Sequence, residues 1–148
     1  MLDPRAVANL IILEMKERGY EATNLKLQKL LFLSHSFYLV EAGRPLVKGH
    51  FEAWQYGPVH REVYDAFKEN GGAPIQAEAT RFNPVTGSRS AIPIPADRSV
   101  VDVVKKVVGF YGGWSAGKLV DLTHAKGSPW DFVVENGATR SEHRASDR

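Results

Sequence analysis

The chain has 148 residues, with 19 Lys and Arg against 17 Asp and Glu, 43% hydrophobic residues, 10% aromatics and no cysteine. A chain of this length buries roughly two-thirds of the surface it exposes when unfolded, so one ordinary hydrophobic core suffices without metal or disulfide staples. The missing cysteine excludes disulfides, thiolate metal sites and a cysteine nucleophile and fits a reducing cytoplasm, while a net charge of +2 from scattered basic residues offers no stripe for a polyanion.

Residues 4–17 predict a helix: Asp3 can cap it, Pro4 suits its first turn, and Val7, Leu10, Ile11 and Met15 recur at helical spacing before Gly19 stops it. The apolar run from Leu10 to Leu13 gives way at once to Glu14 and Lys16, which is not a signal-peptide pattern. A second helix starts after Thr23 and Asn24, either of which can cap it, and runs through Leu27, Leu30, Leu31, Ser34, Phe37 and Tyr38 to Glu41; Gly43 and Pro45 end it. Residues 30–40 are apolar on nearly every side, the signature of a central helix surrounded by neighbours. Lys26, Gln28, Lys29 and His35 interrupt the greasy stretch, which falls short of the ~20 apolar residues of a membrane span.

From Leu46 to Tyr56 the helical period fails, and Phe51, Trp54 and Tyr56 between Gly49 and Gly57 predict a short strand or ordered loop. Pro58 is expected to set the first turn of a third helix, with Val59, Val63, Ala66 and Phe67 on one stripe, Arg61, Glu62, Asp65, Lys68 and Glu69 opposite, and Asn70-Gly71-Gly72 closing it. In 73–96, four prolines interrupt an alternation of Ile75, Phe82, Val85, Ile92 and Ile94, and Asn83-Pro84-Val85-Thr86-Gly87 is a turn candidate. A poor two-stranded hairpin or long ordered loop at a sheet edge follows. Residues 99–111 are rich in valine, yet their apolar pairs fall three or four apart, so the spacing predicts a helix. Ser115 caps a short helix carrying Ala116, Leu119, Val120 and Thr123, and Ser128-Pro129 opens a last one through Trp130, Phe132 and Val133. The fold class is therefore mainly α: a single compact domain over residues 1–136 of about six helices with a short β-hairpin or extended segments. Residues 137–148 form a polar tail expected to fray.

No catalytic constellation, metal spacing or cofactor motif emerges. His60-Arg61-Glu62 would need a second histidine at position 64, which is tyrosine. His35, His50 and His124 are isolated, and lone histidines are usually structural or surface residues; His124, near a helix carboxyl end, would have its proton favoured by the dipole. Ser115 and Ser128 are better explained as caps than as nucleophiles, and Gly112 to Lys118 lacks the spacing of a phosphate-binding loop. The first two helices and their turn resemble a helix-turn-helix, but the second lacks the polar face that reads bases. Lys26, Lys29, Arg5 and Arg18 are better placed on a solvated charged face. Trp54 and Trp130 are favoured as core residues over interface anchors.

Particular stretches carry a family likeness: Asn24-Leu25-Lys26-Leu27-Gln28-Lys29-Leu30-Leu31 leading the central helix, Gly43-Arg44-Pro45-Leu46 after it, and Glu52-Ala53-Trp54-Gln55-Tyr56-Gly57-Pro58-Val59 with Tyr64 and Phe67. Leu119, Leu122-Thr123-His124 and Ser128-Pro129-Trp130 continue it. On these motifs, which span most of residues 6–132, the chain resembles the Panacea-domain antitoxins, also described as SocA-like or phage-associated GepA-like proteins. The resemblance implies a bacterial or prophage antitoxin that neutralises a protein toxin encoded beside it by direct contact, without catalysis or cofactor. It also associates SocA-like members with delivery of the toxin to a Clp-type protease.

Within that frame Gln28, Lys29, Gly57, Pro58, His124, Pro129 and Trp130 are expected to be structural. The candidate toxin-contacting residues are Trp54, Tyr56, His60, Arg61 and Tyr64, where the aromatic segment meets the polar face of the third helix. Phe82 and Arg89 represent the 74–96 segment, which carries no matching motif. Two other classes remain: a DNA-binding regulator, and a small hydrolase-like enzyme in which at least two of His35, His50, His60 and His124 converge with a carboxylate in a cleft.

Overall fold

The structure, a computed structural model, describes residues 1–124; the helix expected from Ser128-Pro129, with Trp130, and the 137–148 tail lie outside the described residues. In chain order the elements are α1 (Pro4–Glu17), α2 (Asn24–Ala42), a hairpin of β1 (Glu52–Trp54) and β2 (Gly57–Val59), α3 (Arg61–Phe67) with a single 3₁₀ turn (Lys68–Asn70), a hairpin of β3 (Thr80–Asn83) and β4 (Ser88–Ala91), α4 (Arg98–Tyr111) and α5 (Ala116–His124). The described residues thus form a mainly helical fold with two small antiparallel hairpins.

Helix α2 is the axis on which α1, α3, α4, α5 and β2 pack. Leu27, Leu30, Leu31, Phe32 and Leu33 point to different sides of it and are all buried, as a helix apolar all round requires. The expectation of an enclosed helix fails in its last turns, where Phe37 is 37% and Val40 82% exposed although Tyr38 beside them is buried. Helix α4 buries Val100, Val103, Val104, Val107 and Val108 as one stripe. Its 3.6-residue period outweighs the strand preference of valine, since the burial of five side chains exceeds a propensity penalty of a few tenths of a kcal/mol each. The caps are those the sequence indicated: Asp3 accepts from the Arg5 backbone N–H at 2.8 Å, Thr23 from Lys26 at 3.2 Å and Ser115 from Lys118 at 3.1 Å.

The third helix starts later than expected. Pro58 lies in β2 opposite Ala53, and α3 begins at Arg61. Proline fixes φ but leaves ψ free to extend, and in a two-stranded ribbon its missing N–H costs no ladder bond on the outer side. Gly57, at φ +101°, turns the chain back after Gln55 and Tyr56.

The β3–β4 hairpin pairs Thr80 with Ala91 and Asn83 with Ser88 across the predicted turn, in which Asn83 Oδ1 accepts from the Val85 N–H at 2.9 Å. Its strands are almost wholly exposed, and its root is clamped by Asn9 of α1. That buried amide donates to the carbonyls of Ala79 and Ile92, both at 3.0 Å, and accepts from the Ala79 N–H at 2.7 Å.

Candidate functional site

The residues singled out from the sequence meet where the amino-terminal half of α2 faces the β1–β2 hairpin and the start of α3. A chain of amide hydrogen bonds fixes this junction. Asn24 Nδ2 donates to the Tyr64 carbonyl at 3.3 Å, Gln28 Nε2 donates to Asn24 Oδ1 at 3.0 Å, and the His60 N–H donates to Gln28 Oε1 at 2.8 Å. Gln28, only 1% exposed, thereby satisfies the backbone N–H of the N-cap residue His60, the bond that the third helical residue of a capping box would otherwise supply.

One turn away, Lys29 is fully buried and its Nζ donates to the Pro58 carbonyl at 2.9 Å. Burial, with no carboxylate partner among the described residues, pushes its pKa down to about 7. The earlier placement of Lys29 on a solvated charged face is therefore wrong: α2 is enclosed here, and the ammonium reaches inward to the hairpin. The other three basic residues share no face either. Lys26 Nζ donates to the Gly112 carbonyl at 2.9 Å, Arg5 pairs with Asp3 at 2.9 Å and Glu62 at 3.6 Å, and Arg18 pairs with Glu14 at 3.6 Å.

A Cβ at Gly57 would lie 3.1 Å from both Lys29 Nζ and the His124 ring, so the absent side chain lets lysine, imidazole and hairpin close together. Burial and then the charge of Lys29 lower the His124 pKa. The helix-dipole expectation for His124 is thus reversed, because the nearby ammonium and desolvation outweigh the helix terminus.

Outward from this junction lies an aromatic and charged layer. The Trp54 ring meets Tyr64 edge to face at 4.9 Å, its Nε1 donates to Glu52 Oε1 at 2.8 Å, and the Arg61 guanidinium lies 4.6 Å above it while pairing with the same carboxylate at 3.3 Å. Burial disfavours ionised Glu52, but the bonds from Trp54 and Arg61 prevail and hold it below the usual carboxylate range.

The candidates divide by exposure. Trp54 and His60 are 5% and 4% exposed and face inward, Tyr56 and Tyr64 are half-buried, and Arg61 is exposed. Phe82, 55% exposed, and Arg89 stand on the β3–β4 hairpin. The fold brings Arg89, but not Phe82, onto one cleft of about 770 Å³ with Glu62 and Asp65 of α3 and Glu69 of the 3₁₀ turn.

Histidines do converge, though not on a cleft. The His35 and His60 rings lie 5.2 and 5.4 Å from that of Phe51. His60 Nε2 is 2.8 Å from the Lys48 carbonyl and His35 Nδ1 accepts from the Val47 N–H at 3.4 Å, so both imidazoles hold the chain segment before β1. Burial, then the neighbouring His60, lowers the His35 pKa to about 4; burial lowers that of His60 as well. Among the described residues no group of three or more His, Asp or Glu is arranged to hold a metal ion, and no helix is long and apolar enough to cross a membrane.

The family model for the SocA-like antitoxin, Panacea domain, matches residues 27–131, from the Gln28–Lys29 pair through both hairpins and beyond α5. The chain belongs to this antitoxin family. It is similar to antitoxin SocA of Caulobacter vibrioides (strain NA1000 / CB15N), with 41% identity over 136 residues, covering 92% of this chain and 72% of that protein. No solved structure matches the chain. Membership in an antitoxin family implies a cognate toxin as partner, and the Gln28, Lys29, Gly57 and Pro58 of the Panacea motifs lie in the buried junction just described.

Two features of the antitoxin had escaped the sequence reading. Asn9 carries no helix-interior signal beyond being polar on an apolar stripe, which is the one clue that it answers buried backbone. The exposed apolar end of α2 was hidden because its composition matches that of the enclosed part.

Proposed function

We propose that this Panacea-domain protein acts in the bacterial cytoplasm as the antitoxin of a toxin–antitoxin pair, neutralising its toxin by direct protein contact. The contact surface is the layer of Arg61, Tyr56 and Tyr64 with Arg89 and Phe82 of the β3–β4 hairpin, while buried Trp54 and His60 hold that layer in place. The observation that carries the choice of surface is Arg61, stacked on Trp54 and bonded to Glu52: an exposed guanidinium already ordered loses little side-chain entropy on binding. A stable complex buries about 1,600 Å² in total, within reach of a face spanning both hairpins. Delivery of the captured toxin to a Clp-type protease is the route by which neutralisation becomes irreversible.

Co-expression with the protein encoded by the neighbouring gene tests this. Growth should be rescued and the two proteins should co-purify, and Arg61→Ala should weaken the complex about tenfold or more without changing the melting temperature. A harmless neighbour that does not co-purify would count decisively against the antitoxin role. Toxin half-life measured with and without ClpP separates proteolytic delivery from simple blocking.

A further inference from the structure

Away from the junction of α2 with the β1–β2 hairpin, α2 and α4 leave an open groove of about 470 Å³ lined by Phe37, Glu41, Lys105, Lys106, Phe110 and Tyr111 among others. Phe110 is 69% and, beside the groove, Val40 is 82% exposed. Phe37 stacks on Tyr111 at 6.4 Å and 14°, Tyr111 meets Trp114 edge to face at 4.9 Å, and Phe110 leans on Tyr111 at 4.8 Å, so the aromatic floor is continuous. A monomer gains nothing from leaving such a floor wet.

Its charges say what would cover it. Lys105 and Lys106 stand on the rim, Arg18 lies against Gly109 of the lining, and Lys118 covers Trp114 at 4.2 Å. Within the lining itself Lys105 and Lys106 face one carboxylate, Glu41, which lies 3.8 Å from Lys106. Glu14, shared between Lys105 at 3.7 Å and Arg18 at 3.6 Å, is buried beneath them. Arg18, Lys118 and Asp102, a turn earlier on α4, lie outside the lining.

We infer that this groove receives an acidic amphipathic helix of the toxin, whose apolar residues enter between α2 and α4 and whose carboxylates meet Lys105, Lys106 and Lys118. The inference rests on the antitoxin reading and adds a second contact on the opposite end of α2 from Arg61. Two packed helices offer a third one a groove for its side-chain ridges. The lining stretch Val103–Tyr111 spans about 12 Å, room for anchors at i, i+3 or i+4, and i+7.

The test uses the full chain co-expressed with the neighbouring gene's product. A photo-crosslinking amino acid at position 40 should join a toxin peptide that has this spacing of apolar residues flanked by Asp or Glu. Phe110→Ser should weaken the complex about tenfold, and Lys105→Glu with Lys106→Glu should weaken it several-fold at low salt and less at high salt. Circular dichroism and melting verify the fold of each variant, and the exposed crosslinking position serves if a variant fails to fold. If the parent chain neither rescues growth nor retains the neighbour, the antitoxin reading itself falls. If the parent does both while the variants bind as tightly, or position 40 joins only a second copy of this chain, the groove assignment alone is overturned.

Discussion

Between Asn24 and Ser34, α2 buries polar side chains, whereas between Phe37 and Glu41 it exposes apolar ones. The two ends share a helix, yet one is buried nearly all round and the other leaves Phe37 and Val40 in water. At the enclosed end each amide is matched: Asn24, Gln28 and Lys29 answer the Tyr64 carbonyl, the His60 N–H and the Pro58 carbonyl. These bonds fix the position of the hairpin and α3 more than they add stability, because burying an amide and an ammonium has its own cost. The open end has the reverse economy, with apolar surface that no other described residue removes from water.

The largest effect is expected where the enclosed end depends on one side chain. Gln28→Ala leaves the His60 N–H and Asn24 Oδ1 buried without their partner, each worth about 1–3 kcal/mol. A loss of about 3 kcal/mol in urea unfolding is therefore expected; a change below 1 kcal/mol would show that water replaces the amide and that the end is not sealed. Gly57→Ala should follow at about 2 kcal/mol, from the φ of +101° and the 3.1 Å approach to Lys29 and His124.

Titration gives a smaller and directional effect. Folded Lys29 titrates at about 7 and the unfolded residue near 10.5, so between those values the unfolded chain holds a proton the folded one lacks. Stability therefore rises from pH 7 towards 10.5, by at most about 1.4 kcal/mol per pH unit from this group. Unfolding midpoints measured at pH 7, 8 and 9 should climb in the parent and stay flat in Lys29→Met. His35, with its pKa depressed to about 4, contributes stability that is present above 6.5 and lost as pH falls from there towards 4. His35→Gln should make that acid limb shallower, the lowered pKa values of His60 and His124 keeping the rest of the slope.

Helix positions, three of the caps, the central place of α2 and the β3–β4 hairpin, as one of two readings of its segment, were legible in the sequence, because periodicity, cap chemistry and turn residues are local signals, whereas the β1–β2 hairpin was read only as a short strand or loop. What was not legible depends on which neighbours arrive. Pro58 satisfies the rules of a helix start and of a strand edge equally well, and the hairpin decides between them. Lys29 looks like any surface lysine until α5 and β2 close over it, and His124 looks like a dipole-stabilised cation until Lys29 stands beside it. At the candidate site the sequence gathered the stretch from Trp54 to Tyr64 without sorting its buried members from its exposed ones. Trp54 and His60 turned out to lie inside, and Arg61 outside, because strand alternation and helix phase change over at His60.

The smallest expected effect is the one that separates the two ends most cleanly. Phe110→Ser removes a ring that is 69% exposed, and Val40→Thr removes one methyl that is 82% exposed, so little apolar area returns to water when the free chain unfolds. Each change should alter stability by less than about 0.5 kcal/mol, the usual range for surface positions. Solubility should rise, since the exposed aromatic floor is interrupted. A loss above about 1 kcal/mol in either variant would mean that the free chain already covers this end of α2 with its own atoms. The contrast with Gln28→Ala would then vanish, and with it the physical reason for a partner helix in the groove.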